Sequence, residues 1–178
     1  MVNKKDMNKP RISMLFILVT LFFVITSCED KDSGGEDNLA IESNNSQNEK
    51  DFTATLEKHL KAVSNKDLIS LKSTMSPNNK MQLILPGSEI INSVDGFMKY
   101  HEEWFQDTAW TFETKIINTE VGERNGIAVT EIIYREPERD GKPYFNRMIV
   151  SYGLEKFNDK WYIILDHASS IEKSTDNQ

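Results

Sequence analysis

The feature that most constrains the fold is a change of hydrophobic pattern after Asp107. Before this residue apolar side chains recur at helical spacing, and after it they alternate with a period of about two residues, as in half-buried strands. The alternation predicts four long strands, joined by turns that contain Asn125-Gly126, Asp140-Gly141 and Asn158-Asp159. The predicted strands cover residues 109–121, 126–136, 143–156 and 160–169.

Helices are predicted ahead of this meander. Phe52, Leu56, Leu60 and Val63 share one helical face, with Asp51 as N-cap. A second, short helix is expected after Asn65, a short strand at 81–85, and a third helix after the N-cap Ser93. Helices followed by a meander predict an α+β fold in which about three helices pack on one face of an antiparallel sheet.

The first 27 residues have the pattern of an export signal. A basic segment from Lys4 to Arg11 precedes the apolar run Met14 to Ile25, which is shorter than the roughly 20 residues of a spanning helix. The run ends in Ile25-Thr26-Ser27-Cys28, which resembles the bacterial lipobox. The resemblance implies that the chain is cut before Cys28 and that this cysteine is lipidated. The alternatives are an ordinary cleaved signal or an uncleaved anchor.

Charge limits the other possible partners. The formal net charge of −7 becomes −10 once residues 1–27, with four basic residues and one acidic residue, are set aside. An acidic chain argues against nucleic acid and against electrostatic docking to anionic lipid. Residues 28–50 hold few apolar side chains, which predicts a disordered acidic tether. The expected location is the bacterial cell envelope, facing the periplasm or the cell surface, with lipid on Cys28 as the membrane contact.

The end of the meander carries a family resemblance. Its last strand reads Asp159-Lys160-Trp161-Tyr162-Ile163-Ile164-Leu165-Asp166-His167-Ala168-Ser169. Together with the order of elements over 51–171, this resembles SnoaL-like domains of the nuclear-transport-factor-2-like superfamily, and leaves 172–178 as a tail. The resemblance implies a cone, with a curved sheet around a long helix and a pocket at the open end. It also implies homodimers through the sheet, and a family that includes isomerases, cyclases, dehydratases, ligand-binding domains and association domains.

His167 is the candidate for chemistry. Strand parity places it with Trp161, Ile163 and Leu165, and the resemblance puts it where the cone opens. There an imidazole would exchange protons near neutral pH, or would close the sheet through a hydrogen bond to a loop. Asp166 is expected on the opposite face as an exposed carboxylate, so it forms no dyad with His167 unless a bulge turns one of the two side chains.

Other pocket candidates are aromatic or basic. An arginine such as Arg147 at the mouth would bind an anionic ligand, or would form a cross-strand ion pair with Glu113 or Glu131. Three histidines and one cysteine give no metal signal, and no cofactor-binding motif is present in the sequence. The pocket candidates are Trp104, Trp110, Tyr134, Arg147 and His167.

Three functions are compatible with this sequence. The first is binding of a small, mostly apolar ligand or of a partner protein. The second is an isomerase, dehydratase or cyclase with His167 as acid and base. The third is an association module whose pocket is filled by its own side chains. Pocket volume and an enclosed ionisable group distinguish the first two from the third.

Overall fold

The structure is a computed structural model that describes the backbone of residues 34–174 and the side chains from residue 45 onward. The predicted signal peptide and Cys28 lie outside the described residues. Three helices and six strands are present in the described range. The helices are α1 (Gly34–Ser64), α2 (Leu68–Ser73) and α3 (Val94–Trp104). The strands are β1 (Gln82–Ile84), β2 (Ile90–Asn92), β3 (Thr111–Val121), β4 (Asn125–Arg139), β5 (Lys142–Phe157) and β6 (Lys160–Lys173).

The six strands form one sheet in the order β2-β1-β6-β5-β4-β3. The four long strands pair antiparallel as consecutive neighbours, which confirms the predicted meander. The short strand β1 pairs parallel to β6, with Leu83 opposite Asp166, so the sheet is mixed rather than purely antiparallel. The α+β class is confirmed, and the pair β1–β2 extends the sheet beyond what the sequence predicted.

Helix α1 is longer than the sequence predicted. It begins at Gly34, within the segment expected to be a disordered tether over 28–50, so that prediction is corrected from residue 34 onward. Asn48 attaches this part of the helix to the sheet: its side chain donates to the Gly122 carbonyl at 2.8 Å and accepts from Lys156 Nζ and Trp161 Nε1. Polar contacts of this kind leave no hydrophobic periodicity, so the pattern alone began the helix too late in the chain.

Helix caps follow the side-chain chemistry of the sequence. Ser93 is the N-cap of α3, as predicted, and its hydroxyl accepts a hydrogen bond from the Gly96 amide at 3.2 Å. The N-cap of α2 is Asp67 rather than Asn65, because the Asp67 carboxylate accepts from the Ser70 amide at 3.0 Å. No helix in the described range is long and apolar enough to cross a membrane.

The core lies between the helices and one face of the sheet. Phe52 of α1 is fully buried and meets Trp161 edge-on at 5.2 Å between ring centroids. It also lies over Gly126, where an added Cβ would stand 2.6 Å from the Phe52 Cε2 atom. Gly126 therefore serves as a packing position inside β4, and the β3–β4 turn lies just before it at residues 122–124. His59 is fully buried and bonds Thr74 Oγ1 through Nδ1 at 2.9 Å.

Candidate functional site

A cavity of about 460 Å³ opens between α3 and the core face of the sheet. Strands β4, β5 and β6 supply its wall, α3 covers it, and the loop after β1 closes one side. The volume falls within the usual range of about 300–1,000 Å³ for small-molecule sites. Its largest lining side chains are aromatic: Tyr100, Trp104, Phe112, Tyr134, Tyr144 and Tyr152.

A β-bulge in β6 decides which side chain enters the cavity. Gly153 pairs with Leu165 and Leu154 pairs with Ile163, so Ile164 is an extra residue without a partner on β5. An extra residue shifts the alternation by one position. Asp166 therefore turns toward the cavity and His167 turns away from it.

Asp166 is the buried acid of this site. The residue is only 9% exposed, and no hydrogen bond joins its carboxylate to another residue within 34–174. Burial raises the pKa of Asp166 to about 7, because a charged carboxylate loses hydration there. Burial also raises the pKa values of Tyr100 and Tyr152, and the nearby charge of Asp166 adds to both shifts. The cavity thus holds a carboxyl group that changes charge near neutral pH.

His101 of α3 also lines the cavity. It is 3% exposed, and its Nδ1 lies 2.9 Å from the Phe97 carbonyl oxygen. Since a carbonyl only accepts, Nδ1 carries the proton of the neutral ring and Nε2 presents a lone pair. Burial lowers the pKa of His101 to about 4, with the hydrogen bond to Phe97 acting weakly in the opposite direction. The imidazole is therefore neutral at pH 7.

Four side chains at the opening of the cavity form what we term the rim cluster: Tyr134, Glu136, Arg139 and Tyr144. The Tyr134 hydroxyl donates to Glu136 Oε1 at 2.6 Å, and Arg139 Nε donates to Glu136 Oε2 at 2.9 Å. The Arg139 guanidinium lies 3.5 Å from the centre of the Tyr144 ring. The hydrogen bonds from Arg139 keep the pKa of Glu136 below its ordinary value. The rim cluster thus holds an ion pair in which the Arg139 guanidinium is already bound by Glu136 and Tyr144.

Two of the predicted pocket residues line the cavity, and a third supports it. Trp104 and Tyr134 are in the cavity wall. Trp110 is 1% exposed and stacks on Trp104 with ring centroids 4.3 Å apart. Lys66 lies over the Trp110 ring at 3.6 Å and donates to the Trp110 carbonyl at 3.0 Å. Trp110 therefore fixes the position of Trp104 from behind.

The other two predicted residues lie elsewhere, and their placement is corrected. His167 is exposed on the outer face of the sheet, because the bulge at Ile164 inverts the parity that the sequence suggested. Arg147 also lies outside the cavity wall, where Nη1 is 3.1 Å from Glu131 and Nε is 3.4 Å from Glu172. Of the two alternatives for Arg147, the structure therefore has the cross-strand ion pair.

Sequence reasoning placed Asp166 on the wrong face. The one available signal was Gly153, an isolated glycine within a strand, which often marks a bulge or a close approach of two backbones. A Cβ at Gly153 would lie 3.1 Å from the Leu165 Cβ, so the two strands do approach closely beside the bulge.

In residues 34–174 no group of three His, Cys, Asp or Glu side chains is arranged to hold a metal ion.

The cone of helices and curved sheet around an apolar cavity defines the nuclear-transport-factor-2-like class of folds. The profile of the SnoaL-like domain family matches residues 53–172. This protein belongs to the SnoaL-like domain family. No curated protein matches the chain.

Solved structures show the same fold at low identity. A ketosteroid isomerase-like protein from Erwinia carotovora atroseptica aligns with a TM-score of 0.58 at 14% identity, covering 68% of this chain and 94% of its own. A nuclear transport factor 2-like superfamily protein from Salmonella enterica aligns with a TM-score of 0.61 at 15% identity. The alignment covers 73% of this chain and 95% of that protein. The association domain of CaMKII from C. elegans aligns with a TM-score of 0.54 at 18% identity. The alignment covers 72% of this chain and 98% of that domain. The descriptions of these three proteins differ, so the structural similarity establishes the fold of this chain and not its function.

Proposed function

We propose that this domain binds a small, mostly apolar molecule in the cavity beneath α3. The observation that carries the proposal is the cavity itself: about 460 Å³, walled by aromatic and aliphatic side chains, with the buried Asp166 in its wall. A pocket that served only as core would be filled by its own side chains. An apolar cavity with a few convergent polar groups and a shifted pKa is the usual form of a binding site.

The test uses a matched pair of neighbouring residues. Ala168 lines the cavity, while Ser169 is exposed on the other face of the same strand. The neutral probe N-phenyl-1-naphthylamine should bind the purified full-length protein saturably, with one site per chain. Ala168→Phe fills the cavity and should weaken probe binding by at least ~10-fold, whereas Ser169→Phe should leave it unchanged. Equal binding by both variants would place the probe elsewhere and contradict the proposal.

A second candidate is proton-transfer catalysis of the isomerase or dehydratase type. It is favoured by Asp166, whose pKa of about 7 suits a general acid or base, close to the hydroxyl-bearing Tyr100 and Tyr152. In this version the acid and base is the carboxyl group of Asp166 rather than the imidazole of His167. Incubation with 2-tetralone in D₂O, followed by NMR, measures whether the α-protons exchange faster with wild type than with Asp166→Asn. Equal exchange rates would reject Asp166 as a base toward this ketone.

We further propose that the chain is exported and attached to a membrane of the bacterial cell envelope by lipid on Cys28. The support is the basic segment, the short apolar run and the sequence Ile25-Thr26-Ser27-Cys28. Metabolic labelling with a fatty-acid analogue should mark the wild type and not Cys28→Ser, and the variant should leave the membrane fraction. Labelling that persists in the variant would contradict this assignment.

Association of two copies through the outer face of the sheet is proposed as well. Ile127 of β4 is 56% exposed on that face, and an association domain is among the structural neighbours. Ile127→Lys should shift the sedimentation equilibrium from dimer to monomer. Ile69→Lys, on α2, is the control, since Ile69 is 86% exposed but remote from the sheet face. A monomeric wild type would contradict this proposal.

A further inference from the structure

The cavity wall carries more negative than positive groups. Its acidic residues are Asp107, Glu136 and Asp166, and its one arginine is Arg139. Within the rim cluster that arginine is bonded to Glu136 and stacked on Tyr144, so its donors face inward to the cluster. The charge of Glu136 is thereby balanced, and the carboxylates of Asp107 and Asp166 have no matching cation in the described cavity wall.

Three residues of the cavity wall present acceptor atoms that no donor of the described chain satisfies: Asn146, Asp166 and His101. Asp166 has no hydrogen-bond donor within the described chain, although the residue is 91% buried. Asn146 is 8% exposed, and its Oδ1 is buried without a partner. His101 uses its Nδ1 proton on Phe97, which leaves Nε2 as an acceptor. A ligand that supplies donors satisfies these atoms, whereas a ligand with only acceptors leaves them unpaired.

The aromatic wall favours the same kind of ligand. An ammonium group within about 6 Å of an aromatic ring face is attracted by the ring quadrupole, and the attraction grows when water is excluded. The protein already places cations against rings in this region, with Lys66 over Trp110 and Arg139 over Tyr144. Three tyrosines and one tryptophan surround the part of the cavity next to these pairs: Tyr100, Trp104, Tyr134 and Tyr144.

We infer that the molecule bound in this cavity is an organic cation, an apolar skeleton that carries a protonated amine, with the amine directed to Asp166. This inference rests on the proposed function and names the ligand class of the same site. The ammonium group supplies the donors that Asp166 lacks, and its charge compensates the buried carboxylate. The apolar skeleton occupies the aromatic part of the cavity.

Cation binding is linked to the ionisation of Asp166. Because burial holds the pKa of Asp166 at about 7, the free site is part-protonated at neutral pH, and an ammonium ligand must displace that proton. Affinity for the cation should therefore rise from about pH 6 to about pH 8, where alkylamines stay protonated. Tyr152 from β5 and Tyr100 from α3 lie near Asp166, and His101 from α3 lines the same cavity; none of the three carries charge in this range. The other ionisable groups nearby are Glu89, Asp107, Glu136, Arg139 and His59.

The test compares three probes with one skeleton: 1-naphthylmethylammonium, 1-naphthylmethanol and 1-naphthylacetate. Each is titrated calorimetrically into the full-length protein, into Asp166→Asn and into the control Asp107→Asn, which changes the other unpaired acid of the cavity wall. The ammonium probe should bind wild type at least ~10-fold tighter than the alcohol, and the carboxylate should bind most weakly. Asp166→Asn should lose this preference, so that the ammonium probe no longer binds more tightly than the alcohol. Asp107→Asn should keep most of the preference.

The outcomes separate the two proposals. If the alcohol binds wild type as tightly as the ammonium probe, the cavity is a ligand site and the cation inference is overturned. If no probe binds, the proposed function itself fails. If Asp107→Asn abolishes the preference and Asp166→Asn retains it, the cation binds at the rim and the assignment to Asp166 is wrong. Binding of the ammonium probe that weakens from pH 6 to pH 8 would also contradict the linkage.

Discussion

Asp166 and His167 show how one residue inserted in a strand changes the chemistry of a pocket. The run Tyr162-Ile163-Ile164-Leu165 gives no sign of a bulge, because its half-buried and buried positions are all aliphatic or aromatic. Strict alternation therefore assigned the imidazole to the cavity and the carboxylate to solvent, and both assignments were wrong. The parity of the strand depends on pairing with β5, which a single strand's sequence does not encode.

The ionisation of Asp166 should lower stability as pH rises. The pKa of Asp166 in the folded protein, about 7, exceeds its ordinary value of 3.8. The stability that the protonated carboxyl contributes is therefore fully present below about pH 4 and is lost as pH rises through 7. Asp166→Asn should gain stability relative to wild type by about 2 to 3 kcal/mol between pH 5 and pH 9. Urea unfolding of both proteins across this range measures the difference. A difference independent of pH would contradict the buried, unpaired state of Asp166.

The two buried histidines should have the opposite effect. Burial lowers the pKa of His59 to about 3, aided by nearby His101, whose own pKa is lowered to about 4. Both pKa values lie below the ordinary value of 6.5. The stability that the neutral histidines contribute is therefore present above pH 6.5 and is lost as pH falls toward 3. In the Asp166→Asn background, unfolding free energy should fall by roughly 2 kcal/mol per histidine from pH 7 to pH 5.

The experiment on the histidines has an internal control. Adding His101→Asn to that background removes one of the two groups and should halve the acid-dependent loss. Denaturant unfolding at pH 7 and pH 5 measures it. Equal stability of the parent background at the two pH values would show that these histidines are not buried in the neutral form.

At the scale of elements, the helix and strand pattern was predicted well where apolar periodicity was strong. The long strands and the cap Ser93 were predicted because alternation and capping are local properties. The start of α1 was not, because it is held by long-range contacts, and the strand β2 was not, because it is only three residues long. Asn48 bonds residues more than seventy positions away, and β2 exists only as the partner of β1.

The attachment of α1 by Asn48 can be tested directly. Asn48→Ala removes the hydrogen bonds to Gly122, Lys156 and Trp161, and should cost about 1 to 3 kcal/mol while speeding amide exchange over residues 45–50. Gln47→Ala is the matched control, because Gln47 bonds only Asp51 within the same helix. Comparable exchange in the two variants would mean that Asn48 does not hold the helix.

The contact of α1 with β4 depends on a glycine. Gly126→Ala places a Cβ against the Phe52 ring and should destabilise the fold by about 1 to 3 kcal/mol, while Gly87→Ala, with open space around it, should change stability little. Phe52→Leu removes the opposing ring atoms, so the double variant should be less destabilised than the sum of the two single changes. Additive effects in thermal or urea unfolding would contradict this contact.

At the scale of the whole molecule, fold and family could be predicted from the sequence, but the pocket could not. The order of helices and strands indicated the α+β class, and the closing motif indicated the SnoaL-like family to which the chain belongs, whose fold implies the cone. The cavity is formed by side chains from five separate elements, so its polarity depends on how they meet. Trp104 and Tyr134 were identified as aromatic pocket residues, whereas Asp166 required the register of β5 and β6.

The most direct measurement is a ¹³C NMR titration of the Asp166 carboxyl carbon in the full-length protein, assigned by its loss in Asp166→Asn. The account predicts a pKa of about 7 in the free protein. Saturating 1-naphthylmethylammonium should shift this resonance and lower its pKa, and Ala168→Phe should abolish the response. An Asp166 that titrates near its ordinary value and does not respond to the probe would contradict a ligand site built around this carboxylate.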